Sequence, residues 1–165
     1  MNISNKQKDK DSYVVGVISD THGLIRKEVT SAFKGTDLII HAGDIGSPDV
    51  LAELKKIAPV KAVRGNMDAG GWAFKLPASD IIEIDEVLLY VLHDVYDLDL
   101  DPASTGIQAV ISGHTHRPSA EYKNGVLHLN PGTAGPFKPP VTVARLKINK
   151  KSIKPYFIEL MDRNS

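Results

Sequence analysis

Five apolar, largely β-branched runs in this chain each stop at a short polar cluster rich in Asp, His, Asn and Gly. Tyr13 to Ile18 is followed by Ser19-Asp20-Thr21-His22, and Asp37 to His41 runs into His41-Ala42-Gly43-Asp44. Val60 to Val63 leads into Arg64-Gly65-Asn66-Met67-Asp68, Val87 to Leu92 into His93-Asp94, and Gln108 to Ser112 into Gly113-His114-Thr115-His116. Such runs read as strands buried on both faces. Ligand sites in α/β sheets lie beyond the carboxyl ends of strands, where loops converge. A lone Asp-x-His or Gly-Asp is ordinarily a polar turn. Five such pieces, each at a strand end, point instead to one shared metal site. In extended backbone, residues i and i+2 project to the same side. Asp20 and His22 are therefore expected to enter one site, as are His114 and His116. The glycines before Asp44, Asn66 and His114 suit a chain that turns sharply and brings its backbone close.

The rest of the pattern sets the fold class. Leu24 to Lys34 has apolar residues at helical spacing with Gly35 as a stop, and Pro48 to Ile57 opens on Pro and repeats Val50, Leu51, Leu54 and Ile57. The resulting βαβαβ order predicts a parallel sheet with helices against it. The second half reads as hairpins: one turning at Asp85-Glu86, one at Asn124-Gly125, one at Asn149-Lys150-Lys151. The mixture predicts two sheets packed face to face with helices outside. The Gly/Pro-rich stretch from Pro131 to Pro140 is short and reads as a structured loop.

Composition narrows the function. Lys plus Arg equals Asp plus Glu at 20 each, so the formal charge is zero. That argues against non-specific nucleic-acid binding and offers no polybasic address for a membrane. The absence of cysteine excludes disulfides and thiol chemistry. Residues 1–12 are polar and Lys/Asp-rich, expected to be a disordered tail without a signal-peptide core. Residues 13–165 are expected to form a single domain, and the whole to be cytoplasmic.

Taken together, Asp20-Thr21-His22, Gly43-Asp44, Arg64-Gly65-Asn66, His93, Gly113-His114-Thr115-His116 and Asn130-Pro131-Gly132-Thr133 resemble the calcineurin-like metallophosphoesterase superfamily. Within it the chain is most similar to the small single-domain bacterial and archaeal phosphodiesterases. The resemblance implies a four-layer α/β/β/α sandwich of two mixed sheets flanked by helices. It implies two divalent metal ions: Asp20, His22 and His116 would hold one, Asn66, His93 and His114 the second, and Asp44 would bridge them. Mixed oxygen and nitrogen ligands suit manganese, iron, zinc or nickel, with magnesium a further choice. Asp44, Asn66, His114 and Asp94 are the catalytic candidates. The chain departs from larger relatives in carrying Met67 after the Asn, where they have a His, and from many relatives in carrying His93-Asp94-Val95 instead of His-Gly-His.

The expected reaction is hydrolysis of a small phosphate ester, most simply a phosphodiester, by a metal-bridging hydroxide. No phosphoenzyme is expected, since no activated Ser or Cys accompanies the motifs. Asp68 and Asp94 are the nearby carboxyl groups able to protonate the leaving group, with solvent as the alternative; the plainer reading of each is a solvated carboxylate or one that supports a ligand from behind. His41 and His128 read as core or hairpin residues. Arg64 and Arg117 read as phosphate grips or surface charges, and Trp72 and Phe74 as a substrate mouth or core. Two alternatives share the fold or the chemistry. One is a protein-interaction scaffold like the eukaryotic retromer subunit; the other is a nuclease, which neutral charge disfavours. A homo-oligomer is expected only by analogy.

Overall fold

The computed structural model describes residues 10–161. Residues 1–9 of the expected tail, and residues 162–165 at the end of the expected domain, lie outside the described residues.

The first sheet is built as the βαβαβ pattern requires. Strands β1 (Tyr13–Ile18), β2 (Leu38–His41) and β3 (Val60–Ala62) run parallel, joined through helices α1 (Glu28–Ala32) and α2 (Pro48–Lys55). After a short helix α3 (Gly71–Phe74) come β4 (Ser79–Ile84), β5 (Val87–Leu92), β6 (Ala109–Ile111), β7 (Pro118–Lys123) and β8 (Val126–Pro131), which form the second sheet in the order β4-β5-β6-β8-β7. Its three central strands, β5, β6 and β8, are parallel. The final hairpin, β9 (Val141–Asn149) and β10 (Ser152–Met161), returns to the first sheet, whose order is β10-β9-β1-β2-β3. The result is a sandwich of two mixed five-stranded sheets, the architecture expected.

Strand alternation divides the apolar residues between layers. Val15, Val17 and Ile40 meet Leu89, Ile111 and Leu127 in the core between the sheets. On the far side of the first sheet, Ile18 and Ile39 pack under Phe33 of the α1 turn and Val50 and Leu54 of α2. Phe33 lies so close over β1 that a Cβ at Gly16 would come within 2.8 Å of its ring. The outer face of the second sheet is covered more thinly. Tyr90, Leu92 and Val110 lie under Val95, Leu98, Leu100 and Ile107, a segment holding only two single 3-10 turns, Val95–Asp97 and Ala103–Thr105.

Local rules explain the elements that matched and the one that shrank. The Ser47 side chain accepts the Asp49 N–H (3.2 Å) ahead of Pro48, which starts α2 at the residue expected. Asp85, Asn124 and Lys150 adopt positive φ in their hairpin turns. The helix expected over Leu24 to Lys34 is confined to Glu28–Ala32. The Leu24 N–H turns back to the Thr21 carbonyl (3.0 Å), and Arg26 extends its guanidinium to the Gly135 carbonyl (2.9 Å). Leu24 to Lys27 is thus a loop tied to the site. No helix among the described residues is long and apolar enough to cross a membrane.

Candidate metal centre

The polar clusters singled out in the sequence lie at or just past the carboxyl ends of their strands, His41 closing β2 and Asn130-Pro131 closing β8, and the clusters of both sheets meet at one end of the sandwich. Asp20 and Asp44 come from the first sheet, His93 and His116 from the second. Asp20 Oδ1 lies 3.2 Å from His116 Nε2, 3.8 Å from His93 Nε2 and 3.9 Å from His22 Nε2. Asp44 Oδ2 lies 3.3 Å from His93 Nε2 and 3.6 Å from His22 Nε2. Two overlapping groups result: Asp20 with His22 and His116, and Asp20 with Asp44 and His93, each with donor atoms within 4.8 Å of one another.

His114 and Asn66 stand at the margin. The His114 ring meets the His93 ring edge-on at 5.2 Å, and its Nε2 is 3.7 Å from Asp94 Oδ2. Asn66 and His93 line a cleft of about 400 Å³ beside the two groups. The two histidines of His114-Thr115-His116 therefore face different partners. The extended-backbone geometry expected for both His pairs is not the one adopted. Asp20, His22, Asp44, His114 and His116 all have positive φ, between 47° and 73°. Among described non-glycine residues only three others do, all in hairpin turns. Left-handed backbone at five non-glycine positions costs on the order of 1–3 kcal/mol each and gathers at functional sites.

The donor set fits a metal. Asp20 Oδ1, His22 Nε2 and His93 Nε2 are buried without a hydrogen-bond partner, an arrangement that costs free energy unless something else occupies their lone pairs. Their other polar atoms are held. Asp20 Oδ2 accepts from the Ser19 hydroxyl (2.6 Å) and the His114 N–H (3.0 Å), leaving Oδ1 to the site. Asp44 Oδ1 accepts the Met67 N–H (2.9 Å), leaving Oδ2. His93 Nδ1 donates to the Ala42 carbonyl (2.8 Å), which fixes the tautomer and directs the Nε2 lone pair inward. Burial alone would raise the Asp44 carboxyl, but His93 and the Met67 N–H outweigh it and hold the group below the ordinary carboxylate range. His93 is the converse: burial lowers it, and Asp44, the Ala42 carbonyl and Asp20 together raise it above an ordinary imidazole.

The surrounding loops are bound tightly to one another. Gly43 and Gly65 admit no side chain: a Cβ would lie 2.7 Å from His93 Nδ1 in one case and 2.1 Å from the Asp44 nitrogen in the other. Asp68, a candidate proton donor from sequence, instead accepts the N–H groups of Gly65 (2.9 Å), Gly46 (2.9 Å) and Ile45 (3.2 Å). It fastens the loop after β2 to the loop after β3. Asn130 donates to the Gly113 carbonyl (2.8 Å) and Thr133 to the Asp20 carbonyl (3.0 Å), so the Asn130 segment braces the loops that carry the candidate ligands.

His41 is fully buried behind the site. Its Nδ1 accepts the Gly43 N–H (3.1 Å), so its Nε2 carries the proton and faces Thr21 Oγ1 (2.9 Å), which donates onward to the Ile45 carbonyl (2.8 Å). Burial, with help from nearby His93, lowers its pKa to about 3 and keeps the ring neutral. Arg64 donates to the Leu76 carbonyl (2.8 Å) and lies 5.7 Å from the Phe74 ring centroid, while Arg117 is exposed. Trp72 packs partly into the core beneath α1 and α2, and Phe74 is exposed. One residue at the site gave no signal in the sequence. Phe137, from the Gly/Pro-rich loop, sets its ring 4.4 Å from His116 and 5.1 Å from His22 and walls that side of the centre. Only the glycines around it, permitting close approach, hinted that this loop reached the ligands.

Comparison with known proteins agrees with this geometry. The family model of the calcineurin-like phosphoesterase superfamily domain matches residues 14–151. A "Probable metallophosphoesterase" of Methanothermobacter thermautotrophicus is 38% identical over 132 residues, covering 73% of this chain and 76% of that protein. A phosphodiesterase of Methanocaldococcus jannaschii is 29% identical over 164 residues, covering 88% of this chain and 99% of that protein. In fold, the chain superposes on vacuolar protein sorting 29 of Cryptosporidium parvum with a TM-score of 0.79, at 20% identity and with 93% and 94% of the two chains covered.

Proposed function

Because the chain belongs to the calcineurin-like phosphoesterase superfamily, we propose that it is a two-metal hydrolase that cleaves small phosphodiesters. The observation that carries this reading is the convergence of Asp20 Oδ1, His22 Nε2 and His93 Nε2, buried and without a hydrogen-bond partner, from the loops of two different sheets. Asp20, His22 and His116 would hold one divalent cation, Asn66, His93 and His114 a second, and Asp44 would span both. Bound cations supply Lewis-acid stabilisation of the phosphoryl charge and acidify water, the chemistry for which paired-metal sites are suited. Manganese is the first choice for this oxygen and nitrogen donor set, with iron, zinc, nickel and magnesium as the other choices.

The protein's own part is to hold that set ready. The Ala42 carbonyl keeps the His93 lone pair pointed inward, and the Ser19 hydroxyl and His114 N–H keep Asp20 Oδ1 free. In the net reaction a water oxygen bonds phosphorus, the P–O ester bond breaks, and the departing oxygen takes a proton. Asp94, which reaches His114 and lines the cleft, is the group proposed to carry that proton. Asp68 is occupied by three backbone donors and is not assigned this role.

The test is turnover of a bis-aryl phosphodiester by chelator-stripped protein with and without manganese. Manganese-dependent hydrolysis that vanishes in Asp44→Asn supports the reading. Folded protein that turns over no diester with any of these metals refutes it.

A further inference from the structure

The histidines of the centre are not held alike. His93 donates through Nδ1 to the Ala42 carbonyl (2.8 Å), the kind of hydrogen bond that fixes the ring of a metal-ligating imidazole. His22 and His116 turn their Nε2 atoms toward the carboxylates of Asp20 and Asp44, but among the described residues no protein hydrogen bond is made at the Nδ1 of either ring. Their side chains are also the more open, 24% and 33% exposed against 5% for His93. What meets them is the ring of Phe137. It lies 4.4 Å from the His116 ring, tilted by 41°, and 5.1 Å from the His22 ring, edge-on at 85°. The two histidine rings meet each other edge-on at 5.9 Å. Aromatic pairs attract at these separations and inclinations. Phe137 is 37% exposed, yet its seat is fixed to the strand end that carries Asp20. Thr133 Oγ1 donates to the Asp20 carbonyl (3.0 Å) and accepts the Gly135 N–H (3.1 Å), and the Ala134 N–H donates to the Ser19 carbonyl (3.1 Å). The Gly135 carbonyl then accepts both the Phe137 N–H (2.9 Å) and the Arg26 guanidinium (2.9 Å). A Cβ at Gly135 would lie 2.2 Å from the Asp20 carbonyl oxygen, so the loop presses directly on the ligand's backbone.

We infer that Phe137 is a positioning residue for the metal group of Asp20, His22 and His116: its ring does for His22 and His116 what the Ala42 carbonyl does for His93, holding them with Nε2 facing the carboxylates. The inference rests on the phosphoesterase reading for the divalent cation that this group is prepared to take. Phe137 acts through the two histidines and touches no reacting atom, and His93, secured by its own hydrogen bond, does not depend on it.

Two measurements on Phe137→Ala, Phe137→Leu and Phe137→Tyr test it. The first needs no metal: imidazole carbon relaxation is recorded by NMR on chelator-stripped protein. The alanine and leucine variants should show faster ring motion at His22 and His116 and no change at His93, and the tyrosine variant should match wild type. The second is calorimetric titration with manganese. Losing both ring contacts should weaken manganese binding on the order of tenfold in Phe137→Ala, with Phe137→Tyr restoring it. Rings that stay as ordered in Phe137→Ala as in wild type overturn the inference, whatever the metal does. Loosened rings with wild-type manganese affinity overturn it too, because the cation would then not depend on their orientation. Full restoration by leucine would also sink it, since the ring would count only as apolar bulk. Loosened rings in a protein whose wild type binds no manganese would uphold the positioning and refute the metal reading instead.

Discussion

His41 makes the fold of this protein sensitive to mild acid in a way that can be measured. The ring is fully buried, donates to Thr21, accepts from Gly43, and has its pKa lowered by burial from 6.5 to about 3. In the unfolded chain it titrates near the ordinary imidazole value. Between these two values the unfolded chain binds a proton that the folded chain does not, so stability falls as pH drops below about 6.5 and stops falling near 3. Integrated from pH 7 to pH 5, the loss from this one group is about 2 kcal/mol, within a full span of roughly 5 kcal/mol. For a chain of this length that is a fall in Tm of roughly 4–8 °C. Other groups titrate over the same range, so the quantity to read is a difference. Urea unfolding of metal-stripped wild type and His41→Gln should be followed at several pH values from 7 to 5. The variant keeps a donor toward Thr21 but has nothing to titrate, so its stability should be lower at pH 7 and should converge on wild type by about 2 kcal/mol as pH falls. Parallel curves would refute the account, because a His41 already protonated in the native state, or free to become so, has no such linkage.

Other outcomes follow from the same contacts. Asp68→Ala would strand three backbone N–H groups and should cost about 3 kcal/mol in chemical denaturation; a change under about 0.5 kcal/mol would mean the loops do not need the fastening. Gly65→Ala places a methyl against the Asp44 nitrogen and should weaken manganese binding at least tenfold by calorimetry, an expectation undone by wild-type affinity. Saturating manganese should raise the Tm of wild type in proportion to the logarithm of metal concentration, and Asp20→Asn should remove most of that response. Asp94→Asn should slow a diester with a poor, alkyl leaving group by about tenfold to a hundredfold while sparing an activated aryl one; equal effects on both would remove Asp94 from proton transfer.

The candidate ligands are legible in the sequence because two local signals coincide there: an apolar run ends, and a residue able to bind metal begins. Six of the seven expected ligands, all but Asn66, have a ring or donor atom within reach of another, and Asn66 lines the adjoining cleft. The hairpins were legible for a similar reason, since Asp85-Glu86 and Asn124-Gly125 carry turn chemistry that needs no tertiary context. Three things were not legible. The left-handed backbone at Asp20, His22, Asp44, His114 and His116 is imposed by contacts between loops far apart in sequence, such as Asp20 with His114. The helix over Leu24 to Lys34 has the right period, but Arg26 is drawn to Gly135, more than a hundred residues away. Phe137 and Asp68 owe their roles wholly to which loops fold against them.

The centre lies across the join between two sheets, with Asp20 and Asp44 fixed to one and His93, His114 and His116 to the other. Cations held there would act as a rivet through two plates. Between the plates lies an apolar core, and at the far end the hairpin turns of the two sheets are tied together, the Lys150 N–H donating to Asp85 Oδ2 (2.7 Å) and the Glu86 N–H to the Lys150 carbonyl (3.3 Å). A rivet at the metal end pins the plates at both ends; without it they are free to splay about the far one. Stripping the metal should therefore loosen the alignment of the sheets before it loosens either sheet. Amide exchange would rise first along residues 113–116 and 130–135 and last in the middle of β1 and β6.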